Sequence, residues 1–281
     1  MVAFIHGEFI PVENAFVHVS DLAVQRGYGI FDFFKIAKGH PFFLNDYLDR
    51  FYHSASVMRL NVPYDRKELA RHIFTLIEKN GMPDSGIKMI LTGGYSIDGY
   101  QPAQSNLILT QHPLVLPGPE QISQGVKIIT HDFVRDIPEV KTINYTMGIW
   151  LIKRVNDHAA YDVLYHKAGV VSEFPRSNFF IVTQNNVVVT PSINVLRGIT
   201  RKNILSIASQ KFEVKEAVVT LDDILSAREA FLTSTTKRIV PVVQVDQNLV
   251  GDGKPGPVSQ ALLQDLIRLE EKDRQVDYSQ A

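Results

Sequence analysis

The sequence contains no cysteine, and several other features that define protein classes are missing as well. Without cysteine the chain has no disulfide, no thiolate zinc site and no cysteine nucleophile. The net charge is only −1 at pH 7, so nothing in the composition favours nucleic acid or an anionic membrane as a partner. No apolar run approaches the roughly 20 residues of a membrane span. The first residues, MVAFIHGEFIPVEN, lack the basic start and long apolar core of a signal peptide, so we expect a cytoplasmic protein.

Common metal and nucleotide motifs are absent or incomplete. The nine histidines form no H-E-x-x-H motif and no close cluster, so a metal site is not expected, and His158 and His166 are assigned packing or surface roles. Residues 251–256 match G-x-G-x-x-G formally, but no strand pattern follows them and Pro255 lacks an amide that should face phosphate. We predict a turn that leads into the last helix. A Ser–His–Asp triad stays open, although no motif marks one.

The chain has 281 residues, of which 45% are hydrophobic, so one large or two medium domains are expected. Residues 113–125 contain three prolines and two glycines and are predicted to be a linker. The predicted domains are therefore 1–112, the smaller, and 126–281, the larger. Hydrophobic periodicity interleaves hairpins with helices, which indicates an α/β or α+β fold with mixed sheets and a cleft between the domains. The predicted helices are 44–60, 66–79, 201–211 and 257–272 and one after Lys141; the predicted strands are 2–5, 8–10, 30–36, 87–92, 106–110, 126–129, 163–166, 179–182, 187–190, 229–233 and 239–245.

Lys141 lies in the stretch EVKTINYTMGIW, residues 139–150, between a helix-averse segment and an apolar helical run. Met147, Trp150, Leu151 and Val155 form an apolar stripe that is expected to anchor this helix. A lysine that forms Schiff bases must be held in place and partly deprotonated, because the ammonium is not a nucleophile. A position at a strand end, facing a cleft, would provide both. An ordinary solvated lysine is the alternative.

Glu173 follows a hydrophobic strand in VVSEFPRSNFFIV and precedes another. A buried carboxylate needs a proton or a cation as partner, and a protonated heterocyclic nitrogen would serve. A surface glutamate at a strand end is the alternative.

Three stretches are suited to hold a phosphate. Residues 196–200, LRGIT, directly precede a predicted helix, whose N-terminal amides attract anions. Residues 232–236, LTSTT, place hydroxyls after a strand. Arg50 can add a bidentate, charge-assisted contact. A helix cap, a polar turn and a solvated arginine are the corresponding structural alternatives.

In this order, the strings RGYGIFDFFKI, LNDYLDRFYHSA, VKTINY, VSEFPRSNFFIV, LRGITR and FLTSTTKRIVPV resemble the class IV pyridoxal-phosphate aminotransferases over nearly the whole chain. That family includes branched-chain aminotransferases, D-amino-acid transaminases and aminodeoxychorismate lyases. The resemblance implies the two-domain fold type IV architecture, with pyridoxal 5'-phosphate bound by the larger C-terminal domain. It also implies a homodimer that uses an amino acid and a 2-keto acid as substrates.

The resemblance further implies a role for each matched residue. Lys141 would carry the cofactor as a Schiff base and move the proton, and Glu173 would face the pyridine nitrogen. Tyr145 would reach the cofactor's phenolic oxygen, although its spacing differs by one residue from that of branched-chain members. The phosphate would be bound by Arg50, Gly198, Ile199, Thr200, Ser234 and Thr235.

The sequence departs from the family pattern near the substrate. Phe174 and Pro175 follow Glu173 where many members have glycine, and the loop GGYSIDGYQPA lacks the arginine and histidine of D-amino-acid transaminases. Phe31 stands where those enzymes tend to have tyrosine. The candidate substrate residues are Arg26, Tyr28, Phe31, Tyr95, Tyr100 and Arg176.

These features predict an aminotransferase that acts on an amino acid, apolar in our interpretation. An aminodeoxychorismate lyase, which eliminates pyruvate without a keto-acid acceptor, is the alternative within the family. A pyridoxal-phosphate-binding protein without turnover is the other alternative.

Overall fold

The computed structural model of the protein describes residues 1–278, and these divide into two units. The first unit comprises Met1–Val115, Val140–Asn144 and the residues from Glu270 onward. The second comprises Leu116–Glu139 and Tyr145–Leu269. The domain boundaries 1–112 and 126–281 stay a prediction, and residues 279–281 of the second predicted domain lie outside the described residues.

An antiparallel sheet is the framework of the first unit. Its elements are β1 (Val2–Ile5), β2 (Glu8–Pro11), α1 (Leu22–Arg26), β3 (Gly29–Ala37), β4 (His40–Pro41), α2 (Leu44–Val57), α3 (Arg66–Asn80), β5 (Ser85–Thr92) and β6 (Leu107–Pro113). The strand order is β2-β1-β6-β5-β3-β4. Neighbouring strands are antiparallel throughout. Among the described residues, the longest ladder joins β3 to β5, with eight paired positions from Gly29↔Thr92 to Ile36↔Ser85.

Helix α3 forms where local sequence signals predict it. Asp65 and Glu68 build a capping box at its N-terminus, and Gly81 ends it in the left-handed region with φ 58°. The buried positions include Leu69 and Ile73, which lie on the face given by the helical spacing. The cap, the apolar stripe and the terminal glycine therefore all agree with one another.

A larger mixed sheet organises the second unit. Its elements are α4 (Pro119–Ser123), β7 (Val126–Asp132), α5 (Thr146–Trp150), α6 (Ile152–Asp157), β8 (Val163–Lys167), β9 (Val170–Val171), β10 (Asn178–Val182), β11 (Val188–Pro191), α7 (Ile199–Ala208), β12 (Val214–Ala217), β13 (Val219–Thr220), α8 (Leu221–Leu225), β14 (Glu229–Ser234), β15 (Arg238–Val245), β16 (Asn248–Leu249) and α9 (Pro257–Asp273), of which residues 257–269 belong to this unit. The strand order is β12-β11-β10-β14-β15-β7-β8-β9-β13, with β16 paired to β15.

The central strands of this sheet are buried on both faces. Along β10, Phe179 and Ile181 belong to one apolar cluster, whereas Phe180 and Val182 belong to the other. Phe231 of β14 stacks on Phe180 with ring centroids 4.9 Å apart. This alternation follows from the two-residue period of a strand, and helices α7 and α9 cover the Phe180 face. The carboxyl end of β14 and the start of β10 are thus held by packing on two sides.

The helix predicted after Lys141 is the clearest difference from expectation. It is two short helices, α5 and α6, that meet at Leu151. Leu151 is buried, and Met147 and Val155 pack beside it. Trp150, however, is 69% exposed, so its assignment to the anchoring stripe was wrong. Trp150 belongs to α5 and Val155 to α6, so the two do not share one continuous helical face.

The segment at 113–125, predicted to be a linker, also contains structure. It holds the last residue of β6 and the short helix α4, which begins at Pro119. Proline suits the first turn of a helix because its missing N–H would have no partner there.

The string at 251–256 is a turn before α9, as predicted. A Cβ on Gly256 would lie 1.9 Å from Cδ of Glu229. The Glu229 carboxylate accepts hydrogen bonds from the N–H groups of Val258 and Ser259. A side-chain carboxylate therefore occupies the helix N-terminus where a dinucleotide phosphate would bind.

Within residues 1–278, no helix is both long and apolar enough to cross a bilayer.

Candidate active site

Lys141 lies on a short extended segment, residues 140–144, that is hydrogen-bonded to the start of β3. The Phe31 N–H donates to the Lys141 carbonyl at 2.9 Å, and the Ile143 N–H donates to the Gly29 carbonyl at 3.1 Å. The Lys141 Nζ atom lies 4.6 Å from the centroid of the Phe31 ring. The backbone of the lysine is thus fixed to a sheet strand, and its amine faces an aromatic ring.

Arg50 is attached to the same strand. Its Nε and Nη2 atoms donate to the two carboxylate oxygens of Asp32 at 2.9 and 2.6 Å. Asp32 is fully buried and directly follows Phe31 on β3. The bidentate pair holds the guanidinium plane rigid. The sequence motifs indicated Arg50 as a candidate phosphate contact, but they did not indicate Asp32 as its partner.

Glu173 is a buried carboxylate with several donors around it. It is 4% exposed. Its Oε1 atom accepts from Arg135 Nε at 2.9 Å, and its Oε2 atom accepts from the Leu196 N–H at 2.9 Å and from Asn178 Nδ2 at 3.3 Å. This surrounds the charge with a guanidinium, a peptide and an amide, which offsets the cost of burying the ionised form. Because Glu173 is almost fully buried, the alternative of a surface glutamate is excluded.

Arg135, like Asp32, is a residue of the candidate site that the sequence motifs did not indicate. Besides Glu173, its guanidinium contacts the carbonyl of Pro138, with Nη2 donating at 2.6 Å. The Arg135 side chain is 10% exposed. It joins the carboxylate to the turn that precedes Lys141 in the chain. The signal available was an arginine next to Asp-Ile-Pro, which looks like an ordinary polar turn.

Helix α7 begins without a side-chain cap. It starts at Ile199, two residues before the predicted start, and its N-cap Gly198 contributes no side-chain hydrogen bond. A Cβ on Gly198 would lie 2.2 Å from Oδ1 of Asn178. Asn178 also donates to the Leu196 carbonyl at 2.8 Å. Asn178 therefore links the Glu173 carboxylate to the segment before α7. Only glycine fits at position 198, because a Cβ there would collide with the Asn178 side chain.

Two buried hydroxyls complete this region. Thr233 Oγ1 and Ser234 Oγ, at the end of β14, have no hydrogen-bond partner among the residues that the structure describes. Thr233 pairs in register with Asn178 of β10. Buried hydroxyls without partners are costly unless a ligand or water satisfies them. Together with the uncapped helix, they form a region suited to an anion.

Tyr145 precedes α5 and is half-buried. It lies close enough to Tyr165 to influence its ionisation. Burial, chiefly, and the negative charge of Asp162 raise the pKa of the Tyr165 hydroxyl, with smaller contributions from Glu173 and Tyr145 and opposition from Arg135. Tyr145, Glu173 and Arg135 therefore share one electrostatic neighbourhood within the second unit.

Arg176 is exposed, between the half-buried Pro175 and the buried Ser177. It lies near the turn that follows β14. Burial, chiefly, lowers the pKa of Lys237 in that turn; Asp162 opposes this effect and the charge of Arg176 adds to it. The Arg176 guanidinium is thus near the turn that carries the Ser234 hydroxyl.

The other candidate substrate residues belong to the first unit. Arg26 ends α1 and is exposed, and Tyr100 is 81% exposed. The Tyr28 hydroxyl donates to the Met58 carbonyl at 2.6 Å, so this hydroxyl has a structural partner. The Tyr95 hydroxyl lies 2.6 Å from His6 Nε2. Across the described ranges, no group of three or more histidines and carboxylates is placed to hold a metal ion.

Comparison with known proteins identifies the family to which the chain belongs. The amino-transferase class IV family matches residues 29–245. The D-alanine aminotransferase of Bacillus licheniformis is 28% identical over 92% of this chain and 93% of its own. The Escherichia coli branched-chain amino acid aminotransferase superimposes with a TM-score of 0.90 at 26% identity, covering 99% of this chain and 97% of that one. The branched-chain amino acid aminotransferase of T.th., solved with pyridoxamine 5'-phosphate, shares the fold with a TM-score of 0.88 at 24% identity, covering 98% and 95%.

The chain belongs to the class IV aminotransferases, as the sequence motifs predicted. It has the fold type IV architecture and is a transaminase that depends on pyridoxal 5'-phosphate. Its own residues fit that cofactor. The uncapped α7 and the buried hydroxyls suit a phosphate, and the buried Glu173 carboxylate suits a protonated ring nitrogen.

Gly198→Ala tests the close approach at the start of α7. The added methyl would displace the Asn178 amide from Glu173 and Leu196, because it would lie 2.2 Å from Asn178 Oδ1. We expect the free energy of unfolding to fall by about 1–3 kcal/mol, the usual cost of overpacking. Binding of pyridoxal 5'-phosphate to the apo-protein should weaken as well. Urea denaturation and equilibrium dialysis measure the two effects.

Gly118→Ala is the matched control. Gly118 also precedes a helix, α4, with an extended backbone, but a Cβ there meets nothing within 4 Å. Both variants share the intrinsic preference of an N-cap for glycine over alanine, so the comparison cancels it. If Gly198→Ala behaves like the control in both measurements, Asn178 does not link the two groups.

Proposed function

We propose that transamination in this protein uses Lys141 as the amine that holds the cofactor and moves the substrate proton. The observation that carries the proposal is the buried Glu173 carboxylate, which is linked through Asn178 to an uncapped helix N-terminus. A charged ring partner and a phosphate subsite in one region match a phosphorylated heterocycle. When bound, pyridoxal 5'-phosphate supplies an electron sink for the amino acid's α-carbon.

The roles of the remaining residues follow from their contacts. Glu173, paired with Arg135, would hold the proton on the ring nitrogen. Lys141 Nζ would take the α-proton of the amino acid, and the Phe31 ring favours the ammonium form that results. Tyr145 would donate to the phenolic oxygen.

Two segments of the second unit would bind the phosphate group. The amides of Ile199 and Thr200 with Gly198, together with the hydroxyls of Ser234 and Thr235, would surround its oxygens. Arg50, whose guanidinium is held by Asp32, would add a charge-assisted contact. A guanidinium held in this way offers its charge without further loss of side-chain entropy.

We further propose an amino acid with an apolar side chain as the substrate. Phe31 offers an apolar ring beside Lys141, and the loop GGYSIDGYQPA carries no arginine or histidine for an acidic side chain. Arg26 and Arg176 would meet the substrate carboxylate, and Tyr28 and Tyr95 would contribute ring surface. Tyr28 would do so without its hydroxyl, which is already used.

The protein is further proposed to be a cytoplasmic homodimer with no nucleic-acid or membrane partner. Its low net charge supports the absence of such partners. Ile149, Trp150 and Ile152 are 65%, 69% and 53% exposed on α5 and α6. Large apolar side chains gathered in this way are typical of a surface that a protein partner covers.

Lys141→Ala tests the central assignment. The wild-type protein should convert an apolar amino acid and a 2-keto acid into the exchanged pair, measured by chromatography of both products. The variant should lose at least about 10²-fold in rate, because general acid–base help alone is worth ~10²–10⁴. Bound cofactor should also lose the visible absorbance of its bond to lysine. Lys215→Ala, at an exposed lysine of β12, is the control.

Normal turnover by Lys141→Ala would overturn the assignment. The acceptor requirement separates transamination from the lyase alternative. A transaminase forms product only when a keto acid is present, whereas a lyase would release pyruvate from aminodeoxychorismate without one.

Arg176→Gln tests substrate recognition. A charge-assisted hydrogen bond is worth about 1.5–3 kcal/mol, so the KM for the amino donor should rise roughly tenfold to a hundredfold. Cofactor affinity should stay the same. The steady-state kinetics of a panel of L- and D-amino acids measure the effect and identify the donor. Arg71→Gln is the control, because the Arg71 side chain on α3 is 74% exposed. An unchanged KM in Arg176→Gln would exclude the carboxylate contact.

Sedimentation tests the assembly. The particle should have twice the 31.7 kDa mass of the chain. Trp150→Glu should shift the population towards monomer if α5 and α6 lie in the interface, since a buried charge opposes association. A wild-type monomer at working concentration would contradict the homodimer.

A further inference from the structure

The turn between β14 and β15 is an unusual place for a lysine side chain to be buried. Residues 235–237 connect the two strands, and the Lys237 N–H donates to the Ser234 carbonyl at 3.3 Å. Arg238, the next residue, has φ +53°. A three-residue hairpin loop commonly places a glycine at this left-handed position. We call residues 234–238 the hydroxyl turn, since it carries Ser234, Thr235 and Thr236.

A side chain other than glycine at positive φ stores backbone strain. The hydroxyl turn therefore needs contacts outside itself to keep one conformation. A lysine at a hairpin tip ordinarily extends into water. Lys237 instead turns inward, with its side chain only 12% exposed.

The inward lysine forms a buried ion pair. Its Nζ atom donates to Asp162 Oδ2 at 3.0 Å and lies 4.8 Å from the centroid of the Tyr161 ring. The Asp162 side chain is 9% exposed, and its Oδ1 atom accepts from the Val163 N–H at 2.9 Å. Asp162 is itself held at the start of β8, where its carbonyl accepts from the Ile129 N–H.

The ion pair connects distant strands of one sheet. In the strand order, β15 and β7 lie between β14 and β8. The ladder hydrogen bonds of β14 and β15 end at the pair Ser234 and Arg238, so they do not fix the residues between. A buried ion pair contributes little net stability compared with apolar residues of the same size, but its geometry is strict. A pair with such strict geometry can fix the position of the turn that carries Lys237.

We propose that the Lys237–Asp162 pair is a positioning device for the phosphate subsite, holding the hydroxyl turn so that Ser234 and Thr235 point at the cofactor's phosphate. This inference rests on the proposed role of those two hydroxyls. Lys237 touches neither cofactor nor substrate in this role. It acts through the turn, and its effect is therefore confined to ligands that carry a phosphate.

Lys237→Met tests the inference in the apo-protein, with affinities for pyridoxal 5'-phosphate and for pyridoxal measured by equilibrium dialysis. Pyridoxal lacks the phosphate but shares the ring. We expect the affinity for pyridoxal 5'-phosphate to fall at least tenfold and that for pyridoxal to stay within about twofold. Lys237→Arg, which keeps the charge, should recover part of the loss. Lys215→Met removes an exposed lysine–glutamate pair and should change neither affinity.

Lys237→Met leaves the Asp162 carboxylate buried without its ammonium, so a second variant guards against misfolding. The double variant Asp162→Asn/Lys237→Met removes both charges and should fold, yet it should show the same selective loss of phosphate-dependent affinity. Equal weakening of both ligands, or unchanged affinity for pyridoxal 5'-phosphate in both variants, would overturn the inference.

Failure of the underlying proposal would look different. If the wild-type protein bound pyridoxal as tightly as pyridoxal 5'-phosphate, the phosphate subsite itself would be wrong before any variant is compared. A wild-type preference for the phosphorylated ligand that survives in the double variant would instead reject the role of Lys237 alone.

Discussion

The contact between Arg135 and Glu173 is the interaction on which the rest of the site depends. Burying a carboxylate costs several kcal/mol unless donors surround it, and Glu173 is almost fully buried. The guanidinium of Arg135 meets one carboxylate oxygen, and Asn178 and the Leu196 peptide meet the other. Because these donors come from three separate segments, the carboxylate also determines where those segments lie.

Several structural features follow from that constraint. The Leu196 peptide must turn towards Glu173, which brings Gly198 against Asn178 and starts α7 directly afterwards. No side chain can stand at Gly198, and the first amides of α7 have no side-chain cap. The same arrangement that stabilises a buried charge thus leaves a helix N-terminus suited to a phosphate. The buried charge and the uncapped helix N-terminus are therefore two consequences of the same packing.

Much of the chain could be predicted from local patterns. Helix α3 carries its cap, stripe and terminal glycine within about twenty residues, and β3, β5, β10 and β14 match β-branched and aromatic runs. The family could also be inferred, because six short strings occur in family order. Trp150 shows the limit: helical spacing assigned it to a buried stripe, but the chain breaks into two helices at Leu151, and Trp150 stays exposed. Periodicity cannot reveal such a break, since both short helices satisfy it.

By itself, the sequence determined which chemical groups the protein has and in what order: an amine at Lys141, a carboxylate at Glu173, hydroxyls after β14 and glycine before α7. Only the tertiary structure decided which partners those groups have. Arg135 lies 38 residues from Glu173, Asp32 lies 18 from Arg50, and Asp162 lies 75 from Lys237. No local spacing rule links such positions. Their pairing is set by strand order and burial, because a charge removed from water must find whichever opposite charge the folded sheet brings beside it.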